Sequence, residues 1–177
     1  MEHDAGGTVT ARVTHLEMLA PPSRHAPPPM NQRAAIMRVR AMPPAFYRYL
    51  YEQVGKAHHW QLRRETGDEE LREMLNSERC QIDVLYVDGA PAGFFELDLS
   101  RLPGEAEILY FGISPDFQGR GLGRFFLSEA IAAAWSHGPA RLVIQTNTLD
   151  SPRGLQLYQQ AGFAPYAWSE EIVTPWR

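Results

Sequence analysis

The sequence predicts an α/β fold, a mixed and mostly antiparallel central sheet with helices on both faces. Three observations predict it. Two strand-like runs, residues 82–87 and 92–99, flank Asp88-Gly89, a strong hairpin-turn dipeptide. Residues 108–113 (Ile-Leu-Tyr-Phe-Gly-Ile) then form a short apolar run of β-formers, stopped by Ser114-Pro115. From Leu122 the apolar residues return at helical spacing, with Leu122, Phe126, Ala130 and Ala134 in one stripe and Leu127 and Ile131 beside it. A strand-like run at 141–148 follows, and a helix crossing between two strands of one sheet makes them parallel.

The remaining elements fall in order around that centre. Residues 8–19 alternate with β-branched side chains and read as a strand, stopped by Pro21-Pro22. Five prolines between 21 and 29 make an extended loop with few donors for a sheet. Residues 35–42 look like a second strand, so the first two strands are joined by a long Pro-rich connection. Pro43-Pro44 opens a helix carrying Phe46, Tyr47, Leu50, Tyr51 and Val54 at steps of three and four, and Gly55 suits its stop. Thr66 followed by Glu69 has the pattern of a capping box and opens a short helix through Leu71, Met74 and Leu75. His137-Gly138-Pro139 stops the long helix. Ser151 is the expected N-cap of a short helix with Pro152 in its first turn, and residues 163–173 supply a last strand.

Composition bounds the function. With 177 residues, 44% apolar and 21% charged, the chain is expected to form one domain with a full-sized core. A net charge of −4 gives no basic footprint for nucleic acid. The single cysteine, Cys80, offers neither an intramolecular disulfide nor a metal cluster, and fits a reducing compartment. Adjacent histidines, His58-His59, are poor metal ligands without Cys, Asp or Glu at ligand spacing, so no metal is expected. No run approaches the ~20 apolar residues of a membrane span, and the polar start is unlike a signal peptide; the expectation is a cytoplasmic protein with no membrane partner.

Chemistry concentrates between the central strand and the long helix, at Gln118-Gly119-Arg120-Gly121-Leu122-Gly123. Glycines let backbone approach a ligand, and the first amides of the following helix lack intrahelical partners. With the helix dipole they favour a phosphate or pyrophosphate, and Arg120 and Arg124 add positive charge. A tight structural connection is the competing reading of the turn. The dinucleotide fingerprint fails, because Arg124 stands where its third glycine belongs, and the nucleoside-triphosphate loop fails for want of Lys-Ser or Lys-Thr.

This turn resembles the acetyl-CoA motif [Q/R]-x-x-G-x-[G/A] of the GNAT superfamily of N-acetyltransferases. Leu157-Tyr158-Gln159-Gln160-Ala161-Gly162-Phe163 resembles the family's second landmark, L-Y-x-x-x-G-F, at the expected distance downstream. The resemblance covers about residues 80–163. It implies a GNAT-like sheet splayed at the acetyl-CoA site. It also divides the chain into N-terminal strands (1–42), acceptor-side helices (43–79), an acetyl-CoA-binding core (80–165) and a terminal strand and tail (166–177). Phe111, Gly112 and Ile113 would pair with the pantetheine arm, and Gln118, Gly119, Arg120, Gly121, Leu122, Gly123 and Arg124 would hold the pyrophosphate. Tyr51, Trp60 and Glu96 are expected to contact the acceptor, with Tyr47, His58 and His59 as further candidates; aromatics at helical spacing also suit a core. The family commonly has two strands after Gly-Phe where this chain has room for one, so the early strands or a homodimer would complete the sheet. Ser151 stands where many members carry a cofactor-contacting asparagine.

Direct acyl transfer from a thioester to an amine needs proximity and a base rather than a serine or cysteine nucleophile. Glu107, which resembles the strand glutamate of the histone-acetyltransferase branch, is the expected general base, with Glu96 as its rival. Tyr158 is the expected general acid, at the family position that points to the thioester sulfur. The resulting expectation is an N-acetyltransferase moving acetyl from acetyl-CoA to a primary amine on a small molecule or protein. Carboxylates at Glu96, Asp98, Glu105 and Glu107 would favour a cationic acceptor. The alternatives are a non-catalytic acetyl-CoA sensor or interaction module and an unrelated α/β domain.

Overall fold

Alternating apolar strands and amphipathic helices assemble into one open sheet in a computed structural model that describes residues 7–176. The strands are β1 (Val9–Met18), β2 (Ala34–Val39), β3 (Cys80–Val87), β4 (Ala90–Asp98), β5 (Glu105–Ile113), β6 (Arg141–Asn147) and β7 (Ala164–Val173). The helices are α1 (Pro44–Gly55), α2 (Asp68–Leu75), α3 (Leu122–Trp135) and α4 (Pro152–Gln160), with single 3-10 turns at Lys56–His58 and Pro115–Phe117. Strand order is β2-β3-β4-β5-β6-β1-β7, and only β5 and β6 pair in parallel. Among the described residues, no helix is long and apolar enough to cross a membrane.

Two apolar layers cover the sheet. On one face α3 and α4 bring Phe125, Phe126, Leu127, Ile131 and Tyr158 against Leu85, Phe95, Leu97 and Ile108. On the other, α1 and α2 bring Tyr47, Leu50, Val54 and Leu71 against Ile82, Val84, Phe94 and Tyr110. Phe94 and Phe95 pack into opposite layers because successive strand residues point to opposite faces. Full burial stabilises the fold by about 1.5–3 kcal/mol for each large apolar side chain.

Three local readings change. β1 and β2 are not neighbours: β1 inserts between β6 and β7, while β2 pairs with β3 at the far edge. The Pro-rich loop is therefore a connection across the α3 face, held where His25 meets Glu129 and Ser128. β1 fills the place of the missing late strand, so seven strands form within one chain. The capping box is also absent. Gly67 is the N-cap of α2 with no side-chain cap bond, and the Thr66 hydroxyl donates back to Leu62. Three acidic residues in its first turn, Asp68, Glu69 and Glu70, favour that helix end through the dipole instead.

The sheet opens at its centre. β4 and β5 pair Glu96 with Tyr110 and Leu97 with Ile108, leaving Leu109 as an extra bulged residue. A bulge bends its strand and re-aims the local side chains. On the opposite side of β5, the parallel ladder to β6 ends at the Ile108–Ile144 pair. Beyond it the two strands diverge, and the polar backbone of β5 facing the gap has no strand partner.

Candidate functional site

At the end of the opened strand the chain makes its glycine-rich turn. Gly119 and Gly121 have φ of 74° and 76°, the left-handed region that glycine adopts without strain. Gly121 is the N-cap of α3, and no side chain caps that helix. Its first amides therefore remain as donors for an external anion, at the positive end of the dipole. Side chains fix the turn from outside. Gln118 Nε2 donates to the Ile113 carbonyl at 3.0 Å, Arg120 Nη2 to the Asp116 carbonyl at 3.1 Å, and Gln32 Nε2 to the Arg120 carbonyl at 2.6 Å. A Cβ at Gly119 or Gly121 would enter open space, so both glycines border a void rather than a packed contact.

That void is a cavity of about 280 Å³ running from the turn into the splay. Phe111, Gly112, Ile113, Gln118, Gly119, Gly121, Leu122 and Gly123 all line it, as does Tyr158 from α4. The two arginines stand apart. Arg120 lies over the Phe117 ring at 4.9 Å, and Arg124 borders an outer groove beneath the Pro-rich loop with Arg24. The Tyr158 side chain is 9% exposed, and burial followed by the nearby Asp150 carboxylate raises its pKa, keeping the phenol protonated. Ser151 is the helix cap, its hydroxyl accepting from the Arg153 amide at 3.3 Å.

A second chamber of about 300 Å³ opens on the opposite face of the sheet. The loop after α1 forms one wall and the end of β7 another. Hydrogen bonds lock the two together: Gln61 Nε2 donates to the Ile172 carbonyl, the Thr174 amide donates to Gln61 Oε1, and Trp176 Nε1 donates to the Trp60 carbonyl at 2.8 Å. Trp60 lies against the end of α1 because Gly55 has no Cβ, and any Cβ there would overlap the indole. The indole packs on Tyr110 with ring centroids 4.6 Å apart. The chamber's polar lining includes Asn147, Asp150 and Glu171, and Asn147 Nδ2 donates to Glu171 at 2.7 Å. His58, Trp60, Leu109, Gln145, Thr146 and Asp150 line both cavities and mark where they meet through the splay.

The other carboxylates sit elsewhere. Glu96 is 1% exposed, accepting from the Tyr47 hydroxyl at 2.6 Å and from Arg63 at 3.0 Å. Burial pushes its pKa up, against the pull of Arg63 and Tyr47. Tyr51 is buried in the same layer, where its hydroxyl accepts from the Arg63 amide. Glu107 pairs with Arg101 at 2.8 Å and borders a third groove, which meets the second chamber at Leu62, Leu109 and Gln145. Glu105 is paired with both Arg101 and Arg141. The acidic cluster read from the sequence is thus matched by arginines. The carboxylates lining the second chamber are Asp150 and Glu171, for which the sequence carries no local signal.

A family model described as the acetyltransferase (GNAT) family matches residues 44–163. The chain belongs to the GNAT acetyltransferase family. An uncharacterised N-acetyltransferase of Methanocaldococcus jannaschii is 30% identical over an alignment of 98 residues that covers 52% of this chain and 41% of that protein. Solved structures share the GNAT fold. A GNAT-family protein of Novosphingobium aromaticivorans superposes with a TM-score of 0.64 at 16% identity, over 95% of this chain and 66% of its own. An aminoglycoside acetyltransferase from an uncultured soil sample, in complex with sisomicin, gives 0.60 at 14% identity over 73% and 87%. This chain spans less than half the length of the archaeal relative.

Proposed function

We propose that this GNAT protein transfers acetyl from acetyl-CoA to a small primary amine. The observation that carries the reading is the pair of cavities meeting through one splay. Acetyl-CoA, the family's usual donor, suits the glycine turn, where unpaired helix amides favour a pyrophosphate and the open edge of β5 suits an amide-bearing arm. An amine entering from the opposite face would meet the thioester where the cavities join. Holding two reactants this way lowers the barrier by proximity alone, without a covalent enzyme intermediate.

Tyr158 is suited to protonate the leaving sulfur, since burial keeps its phenol neutral and it faces the first cavity. The second chamber, with Asp150 and Glu171 and no Lys or Arg in its lining, favours a cationic acceptor. The test is release of CoA thiol from acetyl-CoA over a panel of amines. Turnover with small cationic amines, and little with acidic ones, is expected. Saturable acetyl-CoA binding without turnover on any amine would contradict the enzymatic reading and leave a cofactor-binding module.

A further inference from the structure

We propose that His58, oriented by Asp150, is the base that deprotonates the acceptor amine. The inference rests on the acetyl-transfer reading above and adds the residue that reading lacks. His58 ends the one-turn helix after α1, and Asp150 lies between β6 and α4, 92 positions later in the chain. Both line both cavities, so they stand where donor and acceptor would meet. Glu96 and Glu107 line neither, and each is already engaged by an arginine.

The pair has the geometry of an oriented imidazole. Asp150 Oδ2 is fixed by two donors, the Thr146 hydroxyl at 2.7 Å and the Asn147 amide at 2.9 Å. Those bonds present Oδ1 to His58 Nδ1 at 3.5 Å. The separation is long for a hydrogen bond, and Nδ1 is a buried atom with no other partner. A buried donor gains by closing such a gap, and catalytic hydrogen bonds commonly tighten when substrate binds. With its proton on Nδ1 facing the carboxylate, the imidazole accepts a proton at Nε2. The ring remains 22% exposed, which leaves it reachable from the cavities.

His59 takes a different role. Its φ of 55° turns the chain, and its Nδ1 accepts the Trp176 amide at 3.1 Å. The titratable and charged groups lining the two cavities around His58 are Asp150, His59, Tyr110, Glu171, Arg153 and Tyr158. Of these, Asp150 is the one within 4 Å in an ion-pair geometry.

The step balances without another reactant. The acceptor enters the step as the free amine, its ammonium proton already lost to solvent; its lone pair forms the N–C bond to the thioester carbon, and the C–S bond breaks with its electron pair going to sulfur. One N–H proton passes to His58 Nε2, and sulfur takes the proton of the Tyr158 hydroxyl. Return of the His58 proton to the tyrosinate through solvent restores both groups, so amine and thioester become amide and thiol.

The test compares wild type, His58→Gln and His58→Ala by calorimetric acetyl-CoA titration and by kcat/KM against pH with a small cationic amine. His58→Gln is expected to lower kcat/KM by about 100-fold, to keep acetyl-CoA affinity, and to change the shape of the wild-type pH profile. Added imidazole is expected to restore part of the His58→Ala rate. Wild-type turnover with an unchanged His58→Gln profile overturns this proposal alone. Loss of acetyl-CoA binding in both variants assigns His58 a structural role and overturns it too. A wild type that acetylates no amine removes the functional reading and this proposal with it.

Discussion

On the α3 face of the splay the site is made of backbone. The donors are helix amides, the space comes from two glycines in left-handed conformation, and the opened edge of β5 completes it. On the α1 face the site is made of side chains brought from four distant segments: His58 and Trp60 after α1, Tyr110 on β5, Asn147 and Asp150 at and just past the end of β6, and Glu171 on β7. A backbone site tolerates much change in side chains provided the glycines remain. A side-chain site changes chemistry with each substitution. One fold can thus keep its acyl donor while its acceptor varies.

The comparison can be broken at the backbone first. Gly121→Val would place a branched side chain into the open turn and into a left-handed conformation. Acetyl-CoA affinity is expected to fall at least about 100-fold, some 2.8 kcal/mol, with the far-ultraviolet spectrum unchanged; affinity within threefold would mean that the turn holds no phosphate. Tyr158→Phe keeps the packing and removes the hydroxyl. A loss of about 50-fold in kcat is expected, less than the usual 100-fold or more for acid–base groups because a thiolate leaves readily. Acetyl-CoA affinity should not change. Since burial raises the phenol's pKa, Tyr158 stays protonated through neutral pH, and kcat/KM is not expected to fall between pH 7 and about 9 through loss of its proton.

Smaller effects sharpen the acceptor side. Glu171→Gln removes one of two carboxylates in the second chamber. KM for a cationic amine is expected to rise about fivefold, near 1 kcal/mol, with KM for a neutral amine unmoved; equal changes for both amines would point to packing instead. Glu107→Gln is the smallest. With its carboxylate facing Arg101, the substitution is expected to alter kcat/KM by no more than about threefold, as for a partly exposed ion pair. A loss approaching 100-fold would return the base to Glu107.

What could be read from the sequence follows the same division. The turn, α3, the β3–β4–β5 meander and the parallel β6 were legible because each is encoded within a short window of turn residues and periodic apolar positions. Eight of the ten expected cofactor positions line one cavity for that reason, and the two arginines that do not are side chains whose direction the turn does not dictate. Of the residues expected on the acceptor side, Trp60, His58 and His59 line the second chamber. Tyr51 and Glu96 sit on the expected elements but point into the buried layer of Tyr47 and Phe94, and strand alternation alone does not say which layer carries a cavity. Glu171 was missed because its place in the chamber depends on β1 entering between β6 and β7, and Asp150 because its contact with His58 joins segments 92 positions apart, neither of which a local pattern announces. The capping box failed because Gly67 starts α2 one residue later than Thr66, leaving the threonine hydroxyl to its own turn.

The central claim, that the glycine turn receives acetyl-CoA, is tested most directly by calorimetric titration of the protein with acetyl-CoA, with NADH as the control pyrophosphate. Saturable binding of acetyl-CoA with a Kd near the micromolar range, about −8 kcal/mol, and none for NADH, is the expected result. No heat of binding with millimolar acetyl-CoA, or equal binding of both ligands, would contradict it.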